Sequence, residues 1–346
     1  MQDKTETDNN RQERVRLGVV IINYRTPDLT IGCLRSLAEE LGAVDGRVVV
    51  VDNASGDGSA EKIGDWLASS SIAERAKLIC SRTNSGFSGG NNLGLASLNA
   101  DFYLLLNSDT LLREGALAGL LEAAARHPGA GAIAPRLEDI DGTAQQSCFR
   151  YASPWSELLE SASLRPVSHL LGRFEVALPV SDTPITCDWA SFACILLRRE
   201  AADAAGPMDD GFFMYFEDAD YCRRLAKAGY STIYDPSAWV VHLRGGSSPV
   251  KAAMARGGRP PAYYFASRTR YFRKLYGPLG PFTANVMWLI GRGLARLRPL
   301  MGKALRPACE NQASDIWMNW LDPMGDNKAP DGAPGPAPQI TPGAAS

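Results

Sequence analysis

The chain has 346 residues, of which 45% are hydrophobic, enough for one large domain with appendages and a sizeable core. Its seven cysteines are odd in number and include no Cys-x-x-Cys pair, which argues against a disulfide framework or a zinc ribbon and fits a reducing cytosol. The net charge of −2 conceals a segregation: residues 244–309 hold 13 Lys or Arg and no Asp or Glu, against 23 basic and 38 acidic residues elsewhere.

Residues 1–16 are polar and charged, without the apolar run of a signal peptide, and are expected to be a disordered arm. Beyond them, the apolar runs 17–22, 48–51, 78–80 and 102–106 read as buried strands of a parallel sheet. Polar residues follow each run at once: Asn23-Tyr24-Arg25, Asp52-Asn53, Arg82-Thr83-Asn84 and Asn107-Ser108-Asp109. Helix-like stretches such as 29–41 and 111–126 intervene. This alternation predicts an α/β fold with a Rossmann-like sheet, whose ligand crevice lies outside the carboxyl ends of the strands.

Several residues at those strand ends suit a nucleotide. Asp52 offers a fixed acceptor for a pyrimidine N3–H or a ribose hydroxyl, and Tyr24 offers a ring to a base face. The segment 84–94 carries four glycines, so its backbone can adopt positive φ and approach a ligand, donating amides to a ribose or diphosphate.

Further along, 141–186 is loop-rich and supports no assignment. Glu217-Asp218 follows the aromatic run 212–216 and opens a helix expected over 219–228, where a carboxylate either caps the helix or serves as a base. Aromatic walls would raise the pKa of such a base. His242 follows Trp239-Val240-Val241, the expected end of a strand.

In the basic region, Phe282, Val286, Leu289, Ile290, Leu294 and Leu297 repeat at helical spacing, with Arg292, Arg296 and Arg298 among them. The uncharged stretch 275–291 falls short of the ~20 apolar residues of a spanning helix. It reads as a helix lying on an anionic membrane surface, or else packed on the protein's own core. No nucleic-acid-reading module accompanies the charge. Pro, Gly and Ala dominate the end of the chain, and 310–346 is expected to be a largely disordered tail.

Five segments in this order, Val19 to Tyr24, Asp52 to Ser59, Asn84 to Gly94, Leu105 to Asp109 and Phe212 to Asp220, resemble the family 2 glycosyltransferases, particularly their rhamnosyltransferase-like branch. The resemblance spans roughly residues 15–275. It implies a GT-A fold, with the nucleotide-binding sheet continuing into a mixed sheet in the acceptor half; the charge and spacing noted above add a C-terminal helical membrane-associating extension. The corresponding divisions are a catalytic domain over 17–250, split into a nucleotide-sugar half (17–110) and an acceptor half (111–250), and a basic amphipathic extension over 251–309.

For chemistry, the resemblance implies inverting transfer from a nucleotide-diphosphate sugar with Mg²⁺ or Mn²⁺. Asn23, Tyr24, Asp52, Asn53, Asn84, Gly86, Asn91, Asn107 and Asp109 are then expected on the donor. Asp109 would hold the metal, with His242 on the metal or diphosphate; Asn107 stands where the family often has a second Asp. Asp218 is expected as the base, with Glu217 supporting it or contacting the acceptor. Trp189 and Ser191 fall on the acceptor side, Trp189 stacking on a sugar or packing in the core, while Phe192 replaces a family glycine.

The implied donor is dTDP-rhamnose or a UDP-sugar, and the implied acceptor a lipid-linked saccharide or polysaccharide. The expected location is the cytoplasmic face of a membrane, held peripherally by the basic C-terminal segment, with no nucleic acid bound. Two other readings share some of these features. A sugar-nucleotide pyrophosphorylase would carry a Gly-rich Arg-Leu-Pro-Lys type loop where this chain has Asn23-Tyr24-Arg25-Thr26-Pro27, and an inactive glycosyltransferase-like protein would bind donor without turnover.

Overall fold

A computed structural model describes residues 13–325 apart from 43, 244–249, 251–253, 255, 303 and 306. The four expected runs form the parallel strands β1 (Val15–Asn23), β2 (Gly46–Asp52), β3 (Ala76–Cys80) and β4 (Ala100–Asn107), in the spatial order β3-β2-β1-β4. The first strand therefore starts at Val15, two residues inside the arm expected over 1–16. Helices α1 (Pro27–Leu41), α2 (Ser59–Ala68) and α3 (Gly86–Leu95) make the crossovers. Leu34, Leu37 and Leu41 of α1 follow helical spacing and bury against Val19, Ile21, Val48 and Val50.

Strand order reverses at β1, so the carboxyl ends of β1, β2 and β4 converge. Register brings Asn23 beside Asp52 and Ile22 beside Asn107.

The second half adds β5 (Thr110–Leu112), α4 (Ala116–Arg126), β6 (Ala130–Glu138), β7 (Cys148–Phe149), α5 (Pro154–Ala162), α6 (Arg165–Leu171), β8 (Ile185–Cys187), β9 (Trp189–Ala190), β10 (Cys194–Arg198), α7 (Arg199–Ala205), α8 (Glu217–Lys227) and β11 (Ser231–His242). Antiparallel β10 joins β4 to β6, and β11 runs parallel to β6 and antiparallel to β5 and β8, which gives the mixed sheet of a GT-A fold. Pro236 interrupts β11, whose register on β6 shifts between Tyr234 and Trp239 before pairing resumes.

Two element expectations need correction. Residues 110–112 are an edge strand on β11, and α4 begins only at Ala116, after Gly115 turns the chain at φ 79°. The glycine segment is already helical from Gly86.

Helices α9 (Ala262–Tyr276) and α10 (Gly280–Ala295) follow, with a short helix, Gln312–Asp315, after them. The boundary expected at 250 cuts through tight packing, because α9 buries Tyr263, Phe265, Tyr271 and Phe272 against the loop that precedes α8 and against neighbouring helices. A capping box between Ser153 and Ser156, with Pro154 at the first turn, starts α5. Helix α10 lies so close on α5 that a Cβ at Gly291 would stand 2.0 Å from Ser161 Oγ. Buried Arg268 ties α9 to both, pairing with Glu157 at 2.8 Å and donating to Asn285 at 2.7 Å.

The tail expected to be largely disordered from 310 is packed through 325. Ile316 is buried, Asp315 pairs with Arg259 at 2.8 Å, and Asn285 and Thr269 donate to the carbonyls of Ile316 and Met318. These side-chain contacts hold the first part of the tail in place despite the Pro-, Gly- and Ala-rich composition that suggested disorder; residues 326–346 lie outside the described residues.

On α10 the inward face is Ala284, Asn285, Trp288, Gly291 and Ala295. The outward face is apolar: Phe282, Leu289 and Ile290 are 43%, 42% and 46% exposed, and Leu297, just past the helix, is 47% exposed. No helix among the described residues is long and apolar enough to cross a membrane.

Candidate active site

The donor corner is assembled at the ends of β1 and β2. Asp52 accepts from Asn23 Nδ2 (2.7 Å), Ser55 Oγ (2.6 Å) and Ser55 N (3.1 Å), so its carboxylate is held before any ligand arrives. Asn23 is 0% exposed and also accepts from Thr30 Oγ1 at 2.8 Å. Its expected donor contact is therefore corrected to a positioning role. Tyr24 stays half-buried past the strand end, with the Arg25 guanidinium carbon 5.1 Å from its ring centre.

The glycine segment also departs from the expectation. Asn53, 2% exposed, donates to Asn84 Oδ1 (3.0 Å) and the Gly86 carbonyl (2.9 Å) and accepts from Ser85 N (3.1 Å), stitching β2 to α3. The amide of Gly86 donates to Asn84, and that of Phe87 to the Phe213 carbonyl. Buried Asn91 donates to the Phe87 carbonyl within α3. Neither loop amide is thus available as an anion donor. The glycines serve close packing instead: a Cβ at Gly94 would lie 2.3 Å from Val20, and one at Gly90 would lie 3.0 Å from Ile22.

At the end of β4, Asn107 N donates to the Ala193 carbonyl at 2.8 Å, and the chain turns through Ser108 to Asp109, which is 1% exposed. Strand pairing sets His242 opposite Thr110, and His242 Nε2 lies 3.6 Å from Asp109 Oδ1. Gln145 grips His242 from behind: Nδ1 lies 3.2 Å from Gln145 Oε1, and Gln145 Nε2 donates to the His242 carbonyl at 2.8 Å. No set of three His, Cys, Asp or Glu gathers here among the described residues. One carboxylate and one imidazole nevertheless fit a hard or borderline divalent cation that completes its shell with diphosphate and water.

The candidate base sits after a strained loop. Tyr215 and Phe216 both take positive φ, 74° and 69°, a conformation bulky residues hold only when their surroundings dictate it. The surroundings are α9 rings, with Phe216 5.2 Å from Tyr271 and 5.7 Å from Tyr264. Glu217 then starts α8 in a buried position where burial, and next the Asp218 charge, hold its pKa well above the usual carboxylate range. Asp218 is half-buried, and its Oδ1 accepts from Ala219 N at 2.8 Å.

Lys274 of α9 reaches Asp209 (2.6 Å) and Asp220 (2.7 Å), fixing the first turn of α8, while Arg270 pairs with Asp209 at 2.7 Å. On the acceptor side, Trp189 stacks on Phe149 with ring centres 4.2 Å apart and donates Nε1 to the Arg150 carbonyl. Ser191 is half-buried, and its amide donates to Ser147 O at 2.9 Å. Phe192 turns into the core, edge-on to Tyr221.

Ser55, Gln145, Asp209 and Lys274 were missed from sequence. Ser55 lay inside a recognised motif; the others act across long sequence separations and carry no local signal.

The model of the family described as Glycosyl transferase family 2 matches residues 18–169. The chain carries a family 2 glycosyltransferase domain. An N-acetylglucosaminyl-diphospho-decaprenol L-rhamnosyltransferase of Mycobacterium tuberculosis is 28% identical over 284 residues, 73% of this chain and 82% of that protein. The rhamnosyltransferase WbbL of Escherichia coli is 26% identical over 168 residues, 45% of this chain and 60% of its own length. Both relatives are rhamnosyltransferases, so the glycosyltransferase is similar to that branch. Among solved structures, its fold is similar to the mannosyltransferase PcManGT of Pyrobaculum calidifontis, in complex with GDP-Man and Mn²⁺, with TM-score 0.53, 16% identity, and coverage of 84% of this chain and 77% of that one. It is also similar to GalNAc-T7 with UDP, GalNAc and Mn²⁺, with TM-score 0.54, 13% identity, and coverage of 88% and 57%.

Proposed function

We propose that this glycosyltransferase transfers a sugar, rhamnose by kinship with its relatives, from a nucleoside-diphosphate donor to a lipid-linked saccharide, with inversion. The observation that carries this reading is the joining of the base loop to the donor loop, where Phe87 N donates to Phe213 O at 2.7 Å. That bond sets the aromatic run leading to Asp218 against the segment that follows the nucleotide strands.

In the reaction, Asp52, held by Asn23 and Ser55, presents an acceptor to the nucleoside, and Tyr24 faces the base. The acceptor hydroxyl attacks the anomeric carbon opposite the diphosphate, the carbon–oxygen bond to phosphate breaks, and Asp218 takes the hydroxyl proton. Glu217, whose pKa burial and then the Asp218 charge raise well above the usual carboxylate range, sits beside Asp218. Asp109 and His242 would hold a divalent cation, which when bound neutralises charge on the diphosphate. Trp189 and Ser191 line the acceptor side. The exposed apolar face of α10, followed by Arg296, rests on the membrane surface and brings the lipid-linked acceptor to Asp218.

Release of nucleoside diphosphate from dTDP-, UDP- and GDP-sugars, with Mg²⁺, Mn²⁺ or EDTA, tests this reading. The expected outcome is metal-dependent release from one donor, stimulated by a lipid diphosphate saccharide. Pyrophosphate as product would overturn it.

A further inference from the structure

Arg223 stands on α8 about 7.5 Å along the helix axis beyond Asp218, at 1.5 Å per residue. Its guanidinium carbon lies 5.6 Å from the ring centre of Tyr151, in the link between β7 and α5. Its Nε is sheltered from water and has no hydrogen-bond partner among the described residues, and the same holds for the Tyr151 hydroxyl. Arg224 and Arg268 also leave one sheltered donor unmatched, but each of these neighbours has a carboxylate, Arg224 Asp220 and Arg268 Glu157, as Arg270 has Asp209, whereas Arg223 has none among the described residues. Asp188, the carboxylate at this corner, accepts from Tyr151 N at 2.9 Å and makes no ion pair with Arg223.

Leaving a sheltered donor on a cation unmatched costs on the order of 1–3 kcal/mol, which a folded chain keeps where something else supplies the acceptor.

The corner has a definite position. Tyr271 and Tyr276 both donate to the Ala152 carbonyl, at 3.1 and 3.0 Å, so the end of α9 closes it. Burial raises the Tyr276 pKa, and the Arg223 charge opposes that rise. Shortly after Tyr276, exposed Leu279 opens the apolar stripe of α10. On the opposite side, Trp189 Nε1 donates to the carbonyl of Arg150, next to Tyr151. Arg223, with its unmatched Nε, therefore stands over Tyr151 at a corner bordered by the end of α9.

We propose that Arg223, with the Tyr151 hydroxyl, binds the diphosphate of a polyprenyl-diphosphate-linked acceptor. The proposal rests on the lipid-linked reading above and names the part of that acceptor these residues recognise. A guanidinium presents paired N–H donors that match two phosphate oxygens, and the phenol adds a third donor. The saccharide then extends past Trp189 toward Asp218, and the hydrocarbon leaves along Leu279 and Phe282.

The test is calorimetry on the full chain in detergent, with farnesyl diphosphate and farnesol as probes. Arg223→Met is expected to weaken farnesyl diphosphate binding at least about tenfold, the worth of one charge-assisted hydrogen bond, and to leave farnesol binding unchanged. Arg223→Lys, which keeps the charge without the fork, and Tyr151→Phe, which keeps the ring, are each expected to lose less. Donor hydrolysis without acceptor serves as the control for folding and is expected to be unchanged in all three. Equal farnesyl diphosphate affinity in wild type and Arg223→Met overturns the proposal, as does an equal loss for farnesol. Arg223-dependent diphosphate binding without transfer to any lipid-linked saccharide supports the subsite and overturns the acceptor reading instead.

Discussion

A Cβ at Gly86 would stand 2.1 Å from the Phe213 carbonyl oxygen, so the donor segment and the base loop meet backbone to backbone. Only glycine permits that approach, and Gly86 also holds φ at 69°. Gly86→Ala is expected to separate the two segments, lowering stability by about 1–3 kcal/mol and transfer by more than donor binding. Thermal melts and separate KM and kcat values check it; an unchanged kcat would mean the contact is structural only.

Asp218 and Glu217 divide accessibility and burial between them. Asp218→Asn is expected to cut transfer by ~10²–10⁴-fold with donor affinity retained. Isothermal titration of donor beside a turnover assay separates the two effects.

Glu217 gives a pH signature. Its folded pKa is raised by burial and by Asp218, so the folded chain keeps a proton that the unfolded chain releases above about 4.3. Stability on its account falls as pH rises through that range, until the folded pKa is passed. Glu217→Gln removes this loss, so its melting temperature is expected to match or exceed wild type at pH 8, with the gap closing toward pH 4.

Gln145 orients His242, whose Nε2 faces Asp109. Gln145→Leu is expected to weaken Mn²⁺ affinity ~10–100-fold, in line with loss of a partner behind a metal-binding imidazole. Electron paramagnetic resonance titration of Mn²⁺ measures it directly, and unaltered affinity would remove His242 from the metal site.

Lys274 holds Asp209 and Asp220 together. Burial works to raise the Asp209 pKa, but hydrogen bonds from Arg270 and Lys274 prevail and bring it down to about 2. Because the folded pKa is depressed, its stabilisation is present above the unfolded value and is lost as pH falls toward 2. Lys274→Met is expected to move acid unfolding to higher pH, followed by circular dichroism.

The four parallel strands of the first half, the Asp52, Asp109 and Asp218 signatures and the helical spacing of α10 were all legible in the sequence, because each rests on local periodicity or on residues adjacent in the chain. The family resemblance rested on the same short segments. What each residue touches was decided only by the fold. The glycine segment reads as a phosphate loop locally, yet Gly90 and Gly94 exist to let α3 settle on β1, and the amides of Gly86 and Phe87 are taken by protein partners. Asn23 looks like a donor ligand until burial shows it serving Asp52. The apolar positions of α10 were visible from their spacing, but only packing shows that Ala284, Trp288, Gly291 and Ala295 face inward while Phe282, Leu289 and Ile290 face outward. Gln145 with His242, Lys274 with Asp220, and Arg223 with Tyr151 are side-chain meetings across separate elements, and no local pattern encodes a contact that tertiary packing creates.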